Sequence, residues 1–303
     1  MNGLKTGAKS ILWSAAALLL LLAIAVPLVN ALVFAVMMVP AVVLYATLPR
    51  QWFALHMAAV YAIGAIVLGP AALIVGLFFL IPSVVMGHLY RKGIQARQVL
   101  TSVTLTLLGL SLLELLLADL WFGFSLIHEI RVMITDTVDG LNREGIMPGT
   151  WTADMTESYI QNLIHSIPMA LIVASFVLAV VTHAIAGSVL RAGGLAVPKL
   201  QPIRKWMLPR IFVLYYLIVL LADMAVPSDA TSFMAVVLHN LAPLMKLAFS
   251  IQAMGFFFYI AHERKWNKAI PVLLAVIVAI FPPFSLIGVL DAAFPIRKAF
   301  KKS

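Results

Sequence analysis

The segment that decides the fold runs from residue 98 to residue 122 and reads QVLTSVTLTLLGLSLLELLLADLWF. It is almost continuously apolar, and its length suits a helix that crosses a bilayer, for which about 20 apolar residues are needed. Arg91, Lys92 and Arg97 precede it, whereas the chain that follows it is acidic. The segment is therefore predicted to span a membrane and to begin on the cytoplasmic side, because basic loops stay inside.

The same pattern recurs along the chain, which is 63% hydrophobic and 11% charged. Soluble domains carry about 25% charged residues, so a water-soluble fold is excluded. Pro27 and the Gly69-Pro70 pair supply turns inside the two longest apolar stretches. We predict an all-α, polytopic transmembrane bundle in a single integral membrane domain, 1–303, with about eight spans near 11–30, 31–49, 53–68, 69–90, 98–122, 166–190, 210–226 and 232–262.

Lys and Arg residues lie at alternate breaks between these spans. With the N-terminus inside, only Arg131 and Arg143 fall outside, as the positive-inside rule requires. We therefore expect a multi-pass protein of the bacterial plasma membrane with both termini cytoplasmic. The net charge of +9 is interpreted as a signature of topology and of contact with anionic lipids at the cytoplasmic face, and not as a nucleic-acid surface.

The last apolar stretch, 269–294, has two interpretations. It is long enough for one span, but Pro282-Pro283 bisects it, and proline breaks a helix. A single ninth span would also leave the basic tail outside: Arg297, Lys298, Lys301 and Lys302. We therefore favour a kinked helical hairpin that returns the chain to the cytoplasm.

Two segments lack a spanning pattern. Segment 123–165 carries apolar residues at helical spacing opposite acidic ones, which predicts two amphipathic helices on the extracytoplasmic face. This cap is either a surface connector or a lid over a site. Segment 191–210 is rich in proline, glycine and basic residues, and it is predicted to be an extended cytoplasmic linker.

Ionisable residues inside the spans are the best functional candidates, because each costs about 2.5–3.5 kcal/mol at mid-membrane. Lys246 lies near the middle of its span. It belongs to a polar stripe that is expected to face the protein, formed by His239, Pro243, Lys246 and Ser250 with Asn240 beside it. Its expected partner is Glu114 or Asp223, with Asp291 as a third candidate. The pair is either a structural ion pair or a substrate or proton site.

Enzyme signatures are missing from the sequence. It has no G-x-x-x-x-G-K-[ST] phosphate loop, and Val132 stands where the His128-Glu129 pair would need a second zinc-binding histidine. The chain contains no cysteine, which excludes disulfides and cysteine-ligated metals. We therefore expect neither an enzyme nor a bound cofactor or metal.

Two stretches resemble a known family. Residues 82–92 read PSVVMGHLYRK, and residues 288–298 read GVLDAAFPIRK, which contains Gly288, Asp291 and Arg297. They resemble the YybS-like family of uncharacterised bacterial membrane proteins. That family is distantly similar to the S components of energy-coupling-factor vitamin transporters. The resemblance implies a helical bundle with cytoplasmic termini and an outward-opening pocket for a small molecule.

The sequence therefore supports two alternative functions. The first is a transport-type membrane subunit that binds a small solute, with energy supplied by a partner subunit. The second is a non-transporting scaffold or accessory protein of cell-envelope or signalling machinery, in which polar residues only lock the bundle. The surroundings of Lys246 discriminate between them, because a carrier needs a cavity there and a scaffold needs a sealed pair.

Overall fold

A computed structural model describes residues 2–227 and 232–300, and within these ranges all regular structure is helical. Lys301 and Lys302 of the predicted basic tail lie outside the described residues. The chain forms two compact units. Unit 1 comprises Met1–Leu126 and Ala170–Leu200, and unit 2 comprises Ile127–Met169 and Gln201–Ser303.

Unit 1 is built from the first six helices together with the second half of a long helix. Its helices are α1 (Asn2–Ala23), α2 (Asn30–Val36), α3 (Met38–Thr47), α4 (Arg50–Leu68), α5 (Ala71–Arg91), α6 (Ala96–Phe122) and the C-terminal part of α8 (Ala153–Ala192). Helix α3 packs against α5, and α1 packs against α4. Its core is aliphatic, and its fully buried members include Leu21, Met38, Leu44, Met86 and Leu107. Helix α3 lies at the centre, because nearly every residue from Met38 to Ala46 is buried.

Unit 2 contains α7 (Leu126–Arg143), the first part of α8, α9 (Ile211–Ala225), α10 (Phe233–Glu263), α11 (Ala269–Ile280), α12 (Ser285–Ala293) and α13 (Arg297–Phe300). Short 3-10 turns occupy Ile203–Lys205 and Pro282–Phe284. Its smaller core centres on Phe249 of α10, which packs with Tyr216 of α9 and Ala292 of α12.

Within the part of the chain that the structure describes, six helices are long and apolar enough to cross a membrane: Asn30–Thr47, Arg50–Leu68, Ala71–Arg91, Ala96–Trp121, Ala153–Ala192 and Phe233–Glu263. The other two predicted spans, 11–30 and 210–226, correspond to shorter apolar helices at Gly7–Ala23 and Ile211–Ala225. Each predicted span thus overlaps a helix, although α1 ends at Ala23 and residues 24–29 of the first predicted span form turns. The turn at Gly69-Pro70 is confirmed, because Gly69 takes a φ of 78°, which glycine adopts without steric cost.

The C-terminal stretch is bent. Helix α11 and the Pro282–Ala293 segment meet at an angle of 114°. Phe281 leaves the helical conformation immediately before Pro282, as residues that precede proline tend to do. The kinked pair that the double proline predicted is therefore observed.

Segment 123–165 differs from its prediction in one respect. The first amphipathic helix is observed as α7, and residues 144–152 separate it from the next helix. The second amphipathic helix is not separate, because it continues without a break into the span predicted at 166–190 as the 40-residue α8. Pro168 lies inside α8 and does not end it.

The linker predicted at 191–210 is only partly extended. Its second half contains the turn Ile203–Lys205, which lies against α10 so closely that a Cβ atom on Gly255 would come within 2.9 Å of the Ile203 carbonyl oxygen. The backbone N–H of Leu208 donates to the side-chain oxygen of Gln252 at 3.0 Å. Residues 201–208 thus lie against α10 within unit 2. The composition of this segment did not indicate these contacts.

Candidate functional site

A cavity of about 480 Å³ lies within unit 1. Helices α5, α6 and α8 form its walls, and the chain just after α6 completes them. Its lining is mainly aliphatic and aromatic, and it includes Ile74, Phe78, Ser111, Glu114, Leu115, Leu117, Ala118, Trp121, Phe124, Leu126 and Leu171. A volume of this size and a mostly apolar wall with few polar groups are typical of small-molecule sites.

Glu114 is the charged residue of this lining. It is half-buried on α6, eight residues before the end of the helix, which corresponds to about 12 Å along the helix axis. The ion pairs recorded among the described residues do not include it. A carboxylate this far inside an apolar span is costly unless a partner compensates it. Glu114 is therefore a candidate ligand-binding group.

The end of α6 shapes the mouth of the cavity. Gly123 takes the left-handed conformation with a φ of 61°, which reverses the chain. The backbone N–H of Phe124 donates to the carbonyl oxygen of Ala118 at 3.1 Å. This turn keeps Phe124 and Leu126 beside the cavity rather than letting α6 continue away from it.

In unit 2, Asp223 pairs with His239 rather than with Lys246. The Asp223 carboxylate and His239 Nδ1 are 2.8 Å apart, and both side chains are partly exposed. Lys246 itself is exposed and is absent from the ion pairs of the described residues. The predictions that Lys246 faces the protein and pairs with Asp223 are therefore wrong. Helical spacing placed these residues on one stripe, but it does not determine which part of the stripe is buried.

Asn240 is buried and bridges two helices. Its side-chain oxygen accepts from the backbone N–H of Met169 at 2.8 Å, and its Nδ2 donates to the carbonyl oxygen of His165 at 2.6 Å. Met169 and His165 are four residues apart on α8, so their N–H and carbonyl groups would normally bond to each other. The Asn240 amide bonds to both of these backbone groups, next to Pro168.

The C-terminal residues 288–298 form a second polar cluster. Asp291 is 1% exposed. Arg297 donates to both of its carboxylate oxygens, through Nε at 3.0 and 3.1 Å and through a terminal nitrogen at 2.6 Å. The same guanidinium donates to the carbonyl oxygens of Arg204 at 2.8 Å and Trp206 at 3.0 Å. This arrangement, the Arg297 clamp, joins the end of the chain to the docked loop. Asp291 is thus compensated by Arg297 and not by Lys246.

Gly288 allows this cluster to form. A Cβ atom at position 288 would lie 1.9 Å from the backbone oxygen of Phe249. Helices α10 and α12 therefore approach each other backbone to backbone, which only glycine permits. The three residues singled out in the sequence, Gly288, Asp291 and Arg297, thus all contribute to packing at the end of the chain.

Sequence reasoning missed the other half of this cluster. Gln252, which is 2% exposed, donates through Nε2 to the Asp291 carboxylate. The guanidinium of Arg297 lies 5.1 Å from the centre of the Tyr259 ring, within cation–π distance. Gln252 is a buried polar residue in the middle of an apolar helix, and that position was a usable signal. The backbone carbonyls of Arg204 and Trp206 carry no signal in the sequence.

The stretch 82–92 has a packing role in unit 1. The hydroxyl of Tyr90 and Nδ1 of His183 form a buried hydrogen bond of 2.7 Å, which agrees with a structural role for that histidine. Arg91 donates to the carbonyl oxygens of Tyr45 and Leu48 and lies over the Tyr45 ring at 4.8 Å. Arginine here satisfies carbonyl groups at the end of α3 that the helix leaves free.

These features define a multi-pass α-helical membrane protein. The chain belongs to the family of predicted membrane proteins DUF2232, which matches residues 14–292. It is similar to the uncharacterized protein YybS of Bacillus subtilis (strain 168), with 22% identity over 302 residues that cover 96% of this chain and 97% of the relative. No solved structure matches the chain. The resemblance to the YybS-like family is confirmed, whereas the similarity to S components of vitamin transporters is not shown.

Proposed function

We propose that this protein is a transport-type membrane subunit that binds a small solute in the cavity of unit 1. The observation that carries the proposal is Glu114, a carboxylate within a spanning helix that lines a cavity of about 480 Å³ and is absent from the recorded ion pairs. A scaffold residue would be expected to be sealed against a counter-charge. A carboxylate on a cavity wall instead suits recognition of a ligand.

The proposed orientation puts the basic end of unit 2 in the cytoplasm. Arg204 lies 3.0 Å from His262 at the end of α10, and Arg297 reaches the carbonyl oxygen of Arg204. The loop before α9, the end of α10 and the segment after α12 therefore meet at one end of unit 2. Its exposed basic side chains favour contact with anionic lipid headgroups, and they include Lys205, Arg210, Arg264, Lys265, Lys268 and Lys298.

The cavity can be tested without knowing its ligand. Ala118 lines the cavity, so Ala118→Trp fills part of it, whereas Leu116→Trp adds the same ring to an exposed position of α6 outside the lining. Native mass spectrometry of protein kept in lipid nanodiscs should reveal a small organic adduct on the wild type and on Leu116→Trp. Ala118→Trp should lose it. Identical spectra for all three proteins would refute the proposed site.

A second candidate, the membrane scaffold, is favoured by unit 2. Its buried ion pair, Asp291 with Arg297, is sealed by Gln252 and by backbone carbonyls, and Asn240 is fully engaged with α8. These residues stabilise packing, and their polar groups are bonded to other parts of unit 2. Under this hypothesis a partner membrane protein, rather than a solute, would bind the chain. Co-purification of a stoichiometric partner with no organic adduct would support it.

A further inference from the structure

The cavity wall has few polar groups, and its charged group is negative. Glu114 is the charged member of the lining, and Ser111 lies one turn before it on α6. The described residues that line the cavity include no lysine, arginine or histidine. An anionic ligand would therefore meet a carboxylate with no cation beside it, which is strongly unfavourable in an apolar surrounding.

Three of the other lining residues are aromatic, and two of these, Trp121 and Phe124, are exposed side chains at the open side of the cavity. Phe78, Trp121 and Phe124 contribute to the lining from α5, from α6 and from the turn after α6. The faces of aromatic rings carry partial negative charge and attract cations, and tryptophan does so most strongly. The rings also provide apolar contact area for a hydrocarbon body. The aromatic groups and the carboxylate therefore favour the same kind of ligand.

We infer that the cavity binds an apolar monocation, in which one ammonium group is carried on an aliphatic or aromatic body. This inference rests on the proposed function, because it names the ligand class of the same cavity. The ammonium donates to the Glu114 carboxylate, and the Ser111 hydroxyl is close enough in sequence to share the same side of α6. One carboxylate neutralises one positive charge, so dications are disfavoured.

Two sources could supply this chemistry. A free organic amine could enter as a solute, or the amine headgroup of a membrane lipid could insert with its chains along the apolar wall. Both present an ammonium group on an apolar body. Titrations in phosphatidylglycerol nanodiscs with and without phosphatidylethanolamine separate the two, because a lipid occupant would compete with the added amine.

Three probes with one shared body test the ligand class. These are 4-phenylbutylamine, 4-phenyl-1-butanol and 4-phenylbutyrate, which carry a cationic, a neutral and an anionic head. Isothermal titration into the wild-type protein, with empty discs as the blank, should rank them in that order. We expect the amine to bind about tenfold or more tightly than the alcohol, as is typical of a charge-assisted hydrogen bond.

Variants assign that preference to one carboxylate. Glu114→Gln should remove the advantage of the amine over the alcohol, and Glu114→Asp should retain part of it. Asp119→Asn is the matched control, because Asp119 is an exposed acidic residue of α6 outside the lining. If Glu114→Gln fails to fold, the affinities of the three probes for the wild type and for Glu114→Asp still test whether the cavity prefers a cation.

The possible outcomes test the ligand class and the binding site separately. Equal affinities for amine and alcohol, or an Asp119→Asn effect as large as that of Glu114→Gln, would overturn the monocation inference. If Ala118→Trp nevertheless abolishes binding of every probe, the cavity stands as a site. If Ala118→Trp leaves all binding unchanged, or the amine does not bind the wild type, the inference fails. An amine preference that Glu114→Gln and Ala118→Trp both remove supports the site and its ligand class.

Discussion

The side chain of Asn240 bonds to the backbone carbonyl of His165 and to the backbone N–H of Met169, two groups that lie one turn apart on α8. Its amide accepts from the Met169 N–H at 2.8 Å and donates to the His165 carbonyl at 2.6 Å. Proline at 168 has no N–H and crowds the carbonyl four residues earlier, which weakens the helix at this point. A side chain from α10 thus engages α8 beside this weak point.

We expect Asn240→Leu to lower the free energy of unfolding by about 1–3 kcal/mol, because two buried backbone groups lose their partners. Thermal unfolding in detergent would measure this. Asn142→Leu is the control, since Asn142 is exposed on α7. Adding Pro168→Ala should recover part of the loss, because residue 168 regains an N–H that can donate to the Ile164 carbonyl. Equal stability of Asn240→Leu and Asn142→Leu would contradict the bridging role.

The Arg297 clamp gives a second prediction. Arg297→Met leaves the Asp291 carboxylate buried without its cation, which should cost about 3–5 kcal/mol. The double variant Arg297→Met with Asp291→Asn should lose much less, because the remaining amide is neutral. Lys298→Met, at the exposed neighbour, serves as the control. The clamp would be refuted by a double variant less stable than Arg297→Met alone.

Gly288 supports a third prediction. A methyl group at 288 would collide with the Phe249 backbone oxygen, so Gly288→Ala should separate α12 from α10 and cost about 1–3 kcal/mol or more. Gly140→Ala is the matched variant, because a Cβ atom there meets nothing within 4 Å and α7 is helical. That change should be neutral or stabilising by about 0.5–1 kcal/mol. Comparable losses for both variants would rule out a steric cause.

Lys246 gives a fourth prediction, opposite to the one that a buried pair would require. Because Lys246 is exposed and does not pair with Asp223, Lys246→Met should leave the unfolding midpoint unchanged or raise it. Lys205→Met at the basic end of unit 2 should likewise be neutral. A large loss of stability for Lys246→Met alone would show that the ammonium has a stabilising partner.

Orientation gives the fifth prediction, which the cysteine-free sequence makes straightforward to test. Single cysteines at the exposed positions Lys268 and Asn142 should react differently with an impermeant maleimide added to intact cells. The Asn142 position should be labelled, and the Lys268 position only after the cells are opened. Labelling of Lys268→Cys in intact cells would invert the proposed topology.

The helices were predictable because the bilayer constrains them. Each predicted span overlaps a helix, since unpaired backbone groups are not tolerated in hydrocarbon and long apolar segments must therefore be helical. The bend before Pro282 followed from local chemistry. The contact of Asn240 with α8 beside Pro168 did not, because Asn240 is 71 residues away from Met169 in sequence.

Pairing of charged residues was less predictable than their presence. Asp291 and Arg297 lie six residues apart and were both singled out, yet the sequence also allowed Asp291 as a partner of Lys246. Helical periodicity assigns residues to a face but not to a neighbouring helix. The cavity beside Glu114 similarly depends on side chains from three helices and a turn, and no local pattern reports that convergence.

The residues of the Arg297 clamp are synthesised at different times. Asp291 and Arg297 leave the ribosome six residues apart, so the acid receives its cation almost at once. The carbonyl groups of Arg204 and Trp206 were synthesised 93 and 91 residues before Arg297. They can bond to Arg297 only after that residue has been made, so the clamp is a late contact in assembly. A chain cut before Arg297 would keep a buried, uncompensated acid, and this instability would mark the incomplete product for degradation.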